Sequence, residues 1–570
     1  MAALLLACLL LPVAGHAEVR VDVKGGSEAQ RDNVLAHVGT VGDDELRSWR
    51  STRLRLQENV RNALAALGYY DATASIEAVD GRVVITLAPG EPVRLARLRL
   101  RFDGEAGNDI AFTVLRESQP IAEGDVLHHG HYEALKSAVQ TLALERGYFD
   151  GEWTQADVVV DRARHTAEAD LVYDSGRRYQ FGAVSFVDMD GLPQSLLRPG
   201  VLEALVPFTA GEPFEASRLI KLNKSLLDTR YFSQVRVRQL REEAGDGTVP
   251  VQVSIAADKP NDLDIGIGYS TDVQTRLSLA WRRPLLNDRG HGLRASTELS
   301  DVRRRFDATY SVPWKHPLDD VLQYIYGVQR EEVDRVVTYN TVIGVQRQIQ
   351  KEQDWKRTFS LRATRESFER PDGVEGKSDL VLPGISLDRV RSRGGVDPHW
   401  GDRQFYQAEL ASSNFLSDAD FIALRAGFRL LRTVAERHQF ILRTDGGSIL
   451  TDDFSQVPLT RRFLAGGDQS VRGYDYKSLS PRDASGIAIG ARNLATASVE
   501  YDYTFYPRWR AALFVDAGNA FDSFNEGIKT GAGTGIRWVS PVGPIRLDFA
   551  WSVSENSPSL RVHFSMGASL

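Results

Sequence analysis

Large apolar residues occupy every second position of Leu263-Asp264-Ile265-Gly266-Ile267-Gly268-Tyr269, with small or charged residues between them. The rule returns at the far end of the chain. Ile545, Leu547, Phe549 and Trp551 alternate with Arg546, Asp548 and Ala550, and Leu560, Val562, Phe564 and Met566 alternate with Arg561, His563 and Ser565. Period two is the signature of strands whose two faces meet different surroundings. Sustained through consecutive long segments with charges on the inner face, it predicts a wall between lipid and a polar lumen. Segments between turn signals start near 263, 275, 291, 304, 319, 336, 355, 378, 405, 421, 438, 495, 509, 531, 543 and 557, which makes sixteen strands. The pattern is weakest over 378–400, where Pro383, Gly384 and Pro398 interrupt it. An even count brings both ends of a barrel to one side and sends every odd-to-even connection to the other. The longest connection, about 451–494, joins strands 11 and 12 and falls on that other side.

Before Asp258-Lys259-Pro260-Asn261 the texture differs, and it repeats. An amphipathic helical stretch, an aromatic pair and a strand recur at Leu67-Gly68-Tyr69-Tyr70-Asp71, Arg146-Gly147-Tyr148-Phe149-Asp150 and Thr229-Arg230-Tyr231-Phe232-Ser233. The pairs begin 79 and 83 residues apart (148 − 69 and 231 − 148). Turns at Gly90-Glu91-Pro92 and Gly176-Arg177-Arg178-Tyr179 lead into alternating strands at Leu98–Phe102 and Ala183–Phe186. Each unit reads strand, two helices, two strands, and is large enough to bury a sheet face against its own helices. The domains are expected at 18–95, 96–180, 181–260 and 261–570.

Leu4 to Val13 form an apolar run and Gly15-His16-Ala17 supply small residues, so residues 1–17 read as a secretory signal. A lipoprotein reading of Leu5-Leu6-Ala7-Cys8 is the weaker alternative, because acylation there leaves almost no apolar core to the signal. Cys8 is the only cysteine. An exported chain that sheds it has no disulfide framework and no thiolate chemistry. The rest of the chain holds no continuous apolar helix able to span a bilayer. A hydrophobic fraction of 42% and a mean hydropathy of −0.28 suit a membrane barrel, whose alternation averages out as polar. A net charge of −7 argues against a nucleic-acid partner.

The most specific string lies in the long connection: Arg462-Phe463-Leu464-Ala465-Gly466-Gly467-Asp468-Gln469-Ser470-Val471-Arg472-Gly473-Tyr474. Its Val471-Arg472-Gly473-Tyr474 resembles the sixth-loop signature of the Omp85 superfamily, and the three repeats resemble POTRA domains. Gly268–Asp272 with Trp281-Arg282-Arg283-Pro284, and Gly535–Pro544, are similar to the TamA branch, as is the count of three repeats. The fold implied is three α+β POTRA repeats followed by a 16-stranded antiparallel transmembrane β-barrel. The resemblance further implies that the sixth loop folds back into the lumen and that Arg472 binds carboxylates on the next two strands, at the matching positions Glu500 and Asp516. Alternation agrees: Val499, Tyr501 and Tyr503, with Leu513, Val515 and Ala517, read as lipid-facing, which turns Glu500 and Asp516 inward. The implied role is an outer-membrane insertase with its POTRA domains in the periplasm. It would assemble autotransporter-like and other unfolded barrel clients into the lipid bilayer through a lateral seam, with a TamB-like inner-membrane-anchored partner. The terminus Ser565–Leu570 departs from many outer-membrane proteins in lacking a final Phe or Trp.

No enzyme is expected. The sequence has no Gly-x-Ser-x-Gly elbow, no His-Glu-x-x-His and no Gly-Lys-Ser/Thr phosphate loop, and Gly531-Ala532-Gly533-Thr534-Gly535 reads as a flexible strand start. No catalytic residue, cofactor or metal is expected, and His128, His129 and His131 at a helix start read as solvated surface. Three alternatives stay open at this point: a passive porin, a conduit for phospholipid delivery with the same partner, and a two-partner secretion transporter. The last usually carries two POTRA domains and a plug helix that the sequence does not display.

Overall fold

The computed structural model describes residues 18–351, 354–395, 397–540, 543–555 and 557–566. The expected signal segment with Cys8, and the terminal Gly567–Leu570, lie outside the described residues. The chain forms two compact units. One runs to Ser185 and adds 208–220 and 238–252; the other comprises 186–207, 221–237 and everything from Val253 onward.

The repeated aromatic pair has a local cause. Helix Trp49–Ala66 buries Leu56, Val60, Ala63 and Leu64 on one face, and helix His129–Arg146 buries Tyr132, Leu135, Val139 and Ala143. Such spacing is the apolar stripe of a helix laid on a sheet. Each helix ends on a left-handed residue, Gly68 (φ +89°) or Gly147 (φ +87°). The next residue's N–H then turns back to a carbonyl five residues earlier, Tyr69 to Leu64 at 2.9 Å and Tyr148 to Ala143 at 2.8 Å. The aromatic ring that follows is thereby aimed at the core. In the third copy Arg230 takes the left-handed position (φ +58°), and Thr229 Oγ1 accepts the Tyr231 N–H at 3.1 Å.

Each repeat's sheet has three strands with the last in chain order at the centre: Arg82–Ala88 between Val21–Lys24 and Thr73–Val79, Thr166–Asp174 between Arg94–Asp103 and Glu152–Asp161, and Thr248–Ala257 between Phe232–Gln239 and Gln180–Val187. In the second repeat Phe102, Phe112, Leu135, Tyr148 and Leu171 form one buried cluster.

Among the described residues sixteen strands close into one barrel. They are β1 (Asp262–Ser270), β2 (Gln274–Arg283), β3 (Gly292–Ser300), β4 (Arg303–His316), β5 (Asp320–Val333), β6 (Val336–Ile349), β7 (Lys356–Glu369), β8 (Glu375–Arg393), β9 (Trp400–Ala411), β10 (Phe421–Val434), β11 (His438–Leu450), β12 (Asn493–Tyr506), β13 (Trp509–Phe521), β14 (Lys529–Ser540), β15 (Gly543–Ser552) and β16 (Leu560–Met566). Leu263, Ile265, Ile267 and Tyr269 of β1 are exposed on the outer wall, as their alternation requires.

The segment with the weakest pattern is a continuous 19-residue strand, β8. Asp379 and Val381 point their N–H groups away from β7, to Asp418 and to Ser417 Oγ. Pro383 has the same parity, so its missing N–H faces the side where pairing with β9 begins only at Gly384, and no ladder bond is lost. The following strand starts at Trp400, five residues before the expected position.

The turn between β2 and β3 carries contacts to residues preceding the barrel. Tyr231 donates its buried hydroxyl to Gly290 O at 2.8 Å, and Arg198 pairs with Asp288 at 2.8 Å. Burial pushes the Tyr231 hydroxyl up to about 12, so it remains a donor at any physiological pH.

In the second repeat, Asp109 caps helix Ile110–Glu117 through the Ala111 N–H at 3.0 Å and accepts from Arg146 Nε at 2.6 Å and Tyr148 Oη at 3.1 Å. Burial alone raises this carboxyl, but the Arg146 and Tyr148 contacts and the Ala111 amide outweigh it and hold the group below the usual carboxylate range. A carboxyl depressed in the folded state contributes stability above its unfolded value of about 4, and the contribution is lost as pH falls through the folded value. Asp109→Asn is expected to destabilise this repeat by about 1–3 kcal/mol and to flatten its acid-side pH dependence. Hydrogen exchange of residues 110–146 in the full chain checks it.

Candidate functional site

The connection between β11 and β12 is organised around one apolar cluster and one polar cluster. Phe463, Ala465, Val471, Tyr474 and Leu479 pack with Leu380, Leu382, Phe421 and Ile449, which the barrel strands β8, β10 and β11 turn inward. The connection therefore occupies the lumen. Val471 is completely buried, and Gly473 holds a left-handed φ of +92° with Trp551 and Ser552 backbone where a Cβ would stand. Tyr474 reaches Ser554 Oγ at 3.0 Å.

Between Val471 and Gly473, Arg472 is driven into the wall. It is 2% exposed. Its Nε and Nη2 donate to the two oxygens of Asp516 at 2.7 and 2.9 Å, and its backbone N–H donates to the same carboxylate at 3.0 Å. Nη1 donates to Glu500 at 2.7 Å and to Asp548 at 3.2 Å, and Nη2 reaches Ser498 Oγ at 3.3 Å. The guanidinium plane lies 3.4 Å from the Phe514 ring centroid. A planar fork matched to a carboxylate and stacked on an aromatic face is a geometry that lysine cannot reproduce.

The structure thus brings Arg472, Glu500 and Asp516 together. It also joins them to residues that the sequence pattern left unassigned. Arg537 donates to Glu500 at 2.9 and 3.1 Å and to Asp548 at 2.6 Å, so two guanidiniums share three buried carboxylates. A buried ion is tolerable only when paired and hydrogen-bonded, and the second arginine supplies what one could not. Parity had turned position 548 inward; Arg537 on β14 is paired opposite the inward Arg546. Which of the many inward charges a loop arginine can reach depends on strand stagger, and alternation does not encode that.

Further ion pairs tie the connection to other strands. Arg461 meets Glu366 of β7 at 2.6 Å, Lys477 meets Glu331 of β5 at 2.8 Å, and Arg561 of β16 pairs with Asp475. In the second repeat His128 stacks on His131 at 4.2 Å, and its ring accepts the His131 N–H at 3.3 Å, which makes it a helix cap. Among the described residues no group of three or more His, Cys, Asp or Glu side chains is arranged to hold a metal ion.

Known proteins share this architecture. The family model described as the Omp85 superfamily domain matches residues 260–570, and the model for POTRA domain TamA domain 1 matches residues 20–88. Outer membrane protein assembly factor BamA of Nitratidesulfovibrio vulgaris (strain Hildenborough) is 27% identical over 529 residues, covering 88% of this chain; the match spans 66% of that relative's length. BamA of Buchnera aphidicola subsp. Acyrthosiphon pisum is 22% identical over 159 residues, 28% of this chain and 25% of that one. The crystal structure of BamA from Haemophilus ducreyi lacking POTRA domains 1-3 superposes with a TM-score of 0.69 at 15% identity, covering 83% of this chain and 99% of that chain.

Arg472→Ala would leave Asp516 buried without its main partner. Loss of one member of a buried pair costs about 3–5 kcal/mol, so residues 464–479 are expected to lose protection from hydrogen exchange while the β5–β8 wall keeps it. Arg472→Lys should recover part of the loss. Unchanged protection in Arg472→Ala would show that the apolar cluster alone holds the connection.

Proposed function

This chain belongs to the Omp85 superfamily, and on that footing we propose that it inserts β-barrel clients, autotransporters among them, into the outer membrane through the junction of its first and last strands. The observation that carries this reading is the match of residues 260–570 to the Omp85 superfamily domain, on a closed barrel whose first and last strands meet at Ser270 opposite Ser565 and through the Thr271 N–H to Phe564 O at 3.2 Å. Strand edges that come apart recruit other strands. A client strand adding to one edge would gain main-chain hydrogen bonds and grow its own sheet from there.

The N-terminal repeats fit a periplasmic docking role, since each has edge strands open to augmentation, and a TamB-like inner-membrane-anchored protein is the partner this reading assigns to them. The match of residues 20–88 to a TamA-type POTRA model favours that partner, and the printed role of the BamA relative, outer membrane protein assembly, favours protein clients. The work is done by hydrogen-bond exchange and bilayer partitioning, with no covalent intermediate.

Directly opposed positions in an antiparallel pair stand about 4.5–5.5 Å apart at Cα, within the range a disulfide spans. The double variant S270C/S565C, in a Cys8→Ser background and oxidised in liposomes, is expected to reduce insertion of an unfolded autotransporter barrel to the rate of protein-free liposomes, and reductant should restore it. Undiminished insertion by the cross-linked protein would refute the lateral route.

A further inference from the structure

We propose that the β11–β12 connection staples the junction of the first and last strands shut from inside the lumen, with Asp272 on one side and His563 on the other as its positioning residues. The inference rests on the junction being the route of insertion. It adds what holds the route closed.

The two anchors sit on opposite sides of the junction. Asp272 lies in the β1–β2 turn and is buried; its Oδ2 accepts the N–H of Asp468 at 2.7 Å. His563 lies on β16, 5% exposed, and its Nε2 accepts the N–H of Gly473 at 3.0 Å. Asp468 lies in a tight turn closed by the Gly467 N–H to Val471 O at 3.2 Å, and Gly473 follows two residues after Val471, next to Arg472, which locks this stretch to the wall. The Arg561–Asp475 ion pair reinforces the β16 side. A short piece of chain therefore bonds to the first hairpin and to the last strand at once.

The imidazole must be in one form. Because Nε2 accepts a backbone N–H, the ring proton of a neutral His563 is on Nδ1, which points toward Asp272 Oδ1 at 3.9 Å and has no hydrogen-bond partner. A second proton on the ring would set two donors against each other and release Gly473. The titratable and charged groups facing the ring are Asp272, Asp468 and Asp548 on the acidic side and Arg472 and Arg561 on the basic side. Burial, and then the adjacent Asp468 carboxylate, push the Asp272 carboxyl up to about 8. A carboxyl raised in this way favours the closed arrangement most below its unfolded value, and the contribution is lost as pH rises through about 8. His563 fails in the opposite direction, in acid, so the staple is bounded on both sides.

The test reads junction geometry directly and without client, so it can fail while the insertion assay succeeds, and the reverse. Spin labels at L277C and V562C, both exposed outer-wall positions on β2 and β16, are measured by pulsed dipolar spectroscopy on the full chain (Cys8→Ser) in nanodiscs. At neutral pH one narrow distance is expected, with Asp272→Ala and His563→Phe shifting at least about half the population to a longer, broader one. His563→Gln keeps an acceptor that does not titrate. Below the ordinary histidine range of about 6.5 the unaltered chain should broaden while His563→Gln stays narrow. Heat-modifiable gel mobility confirms that each variant is a folded barrel; if His563→Phe is not, the acid response of His563→Gln decides. Narrow distributions in Asp272→Ala and His563→Phe, or an identical acid response in His563→Gln and the unaltered chain, would overturn the staple. So would equal broadening in Arg365→Ala, which breaks a distant wall ion pair with Asp379.

Discussion

A guanidinium buried at the meeting of three carboxylates sets the terms for the rest of the barrel. Removing these charges from water is expensive, and the expense is recovered only if every one finds a partner in good geometry. Arg472 meets that condition by binding β12, β13 and β15 together, and Arg537 of β14 closes the set. Three strands are thus fixed to one residue of a loop, and β14 joins them through Arg537. Moving the loop would leave these charges unpaired in a space lined by protein.

The same loop also reaches the junction of the first and last strands, one strand beyond β15. Its turn bonds to Asp272 of the first hairpin and to His563 of β16. Side-chain bonds of this kind can be broken singly and tuned by protonation or by a competing strand. A main-chain ladder offers no such handle.

Much of the architecture was legible because it rests on period. Alternation from Leu263 onward, weakest over 378–400, predicts the sixteen strands, and the recurring helical stretch, aromatic pair and strand predict the repeats. Fidelity failed where backbone chemistry and not pattern decided the outcome: Pro383 looked like a break but sits with its missing donor facing an unpaired edge. For the polar cluster, the Arg472–Glu500–Asp516 contact came from resemblance and parity together, while Asp548 and His563 were inward by parity yet had no assigned partner, and Arg537 had no assigned face. Gly531 is instructive. It read as part of a flexible strand start, but a Cβ there would stand 1.8 Å from the Arg472 carbonyl oxygen, so its missing side chain is what lets the loop seat against β14. Close approach between residues 59 positions apart leaves no local trace in a sequence.

The strand lengths carry one more consequence. β1, β2 and β3 have 9, 10 and 9 residues, whereas β4 through β7 have 14 each. At about 3.4 Å per residue and a tilt near 45°, nine residues rise roughly 20 Å, short of the apolar band of about 25 Å that such barrels usually present, while fourteen exceed it. Lipid next to the first hairpin is therefore compressed relative to lipid on the far wall. Mismatch of this kind is accommodated by local thinning of the bilayer, on the side where the first and last strands of the barrel meet.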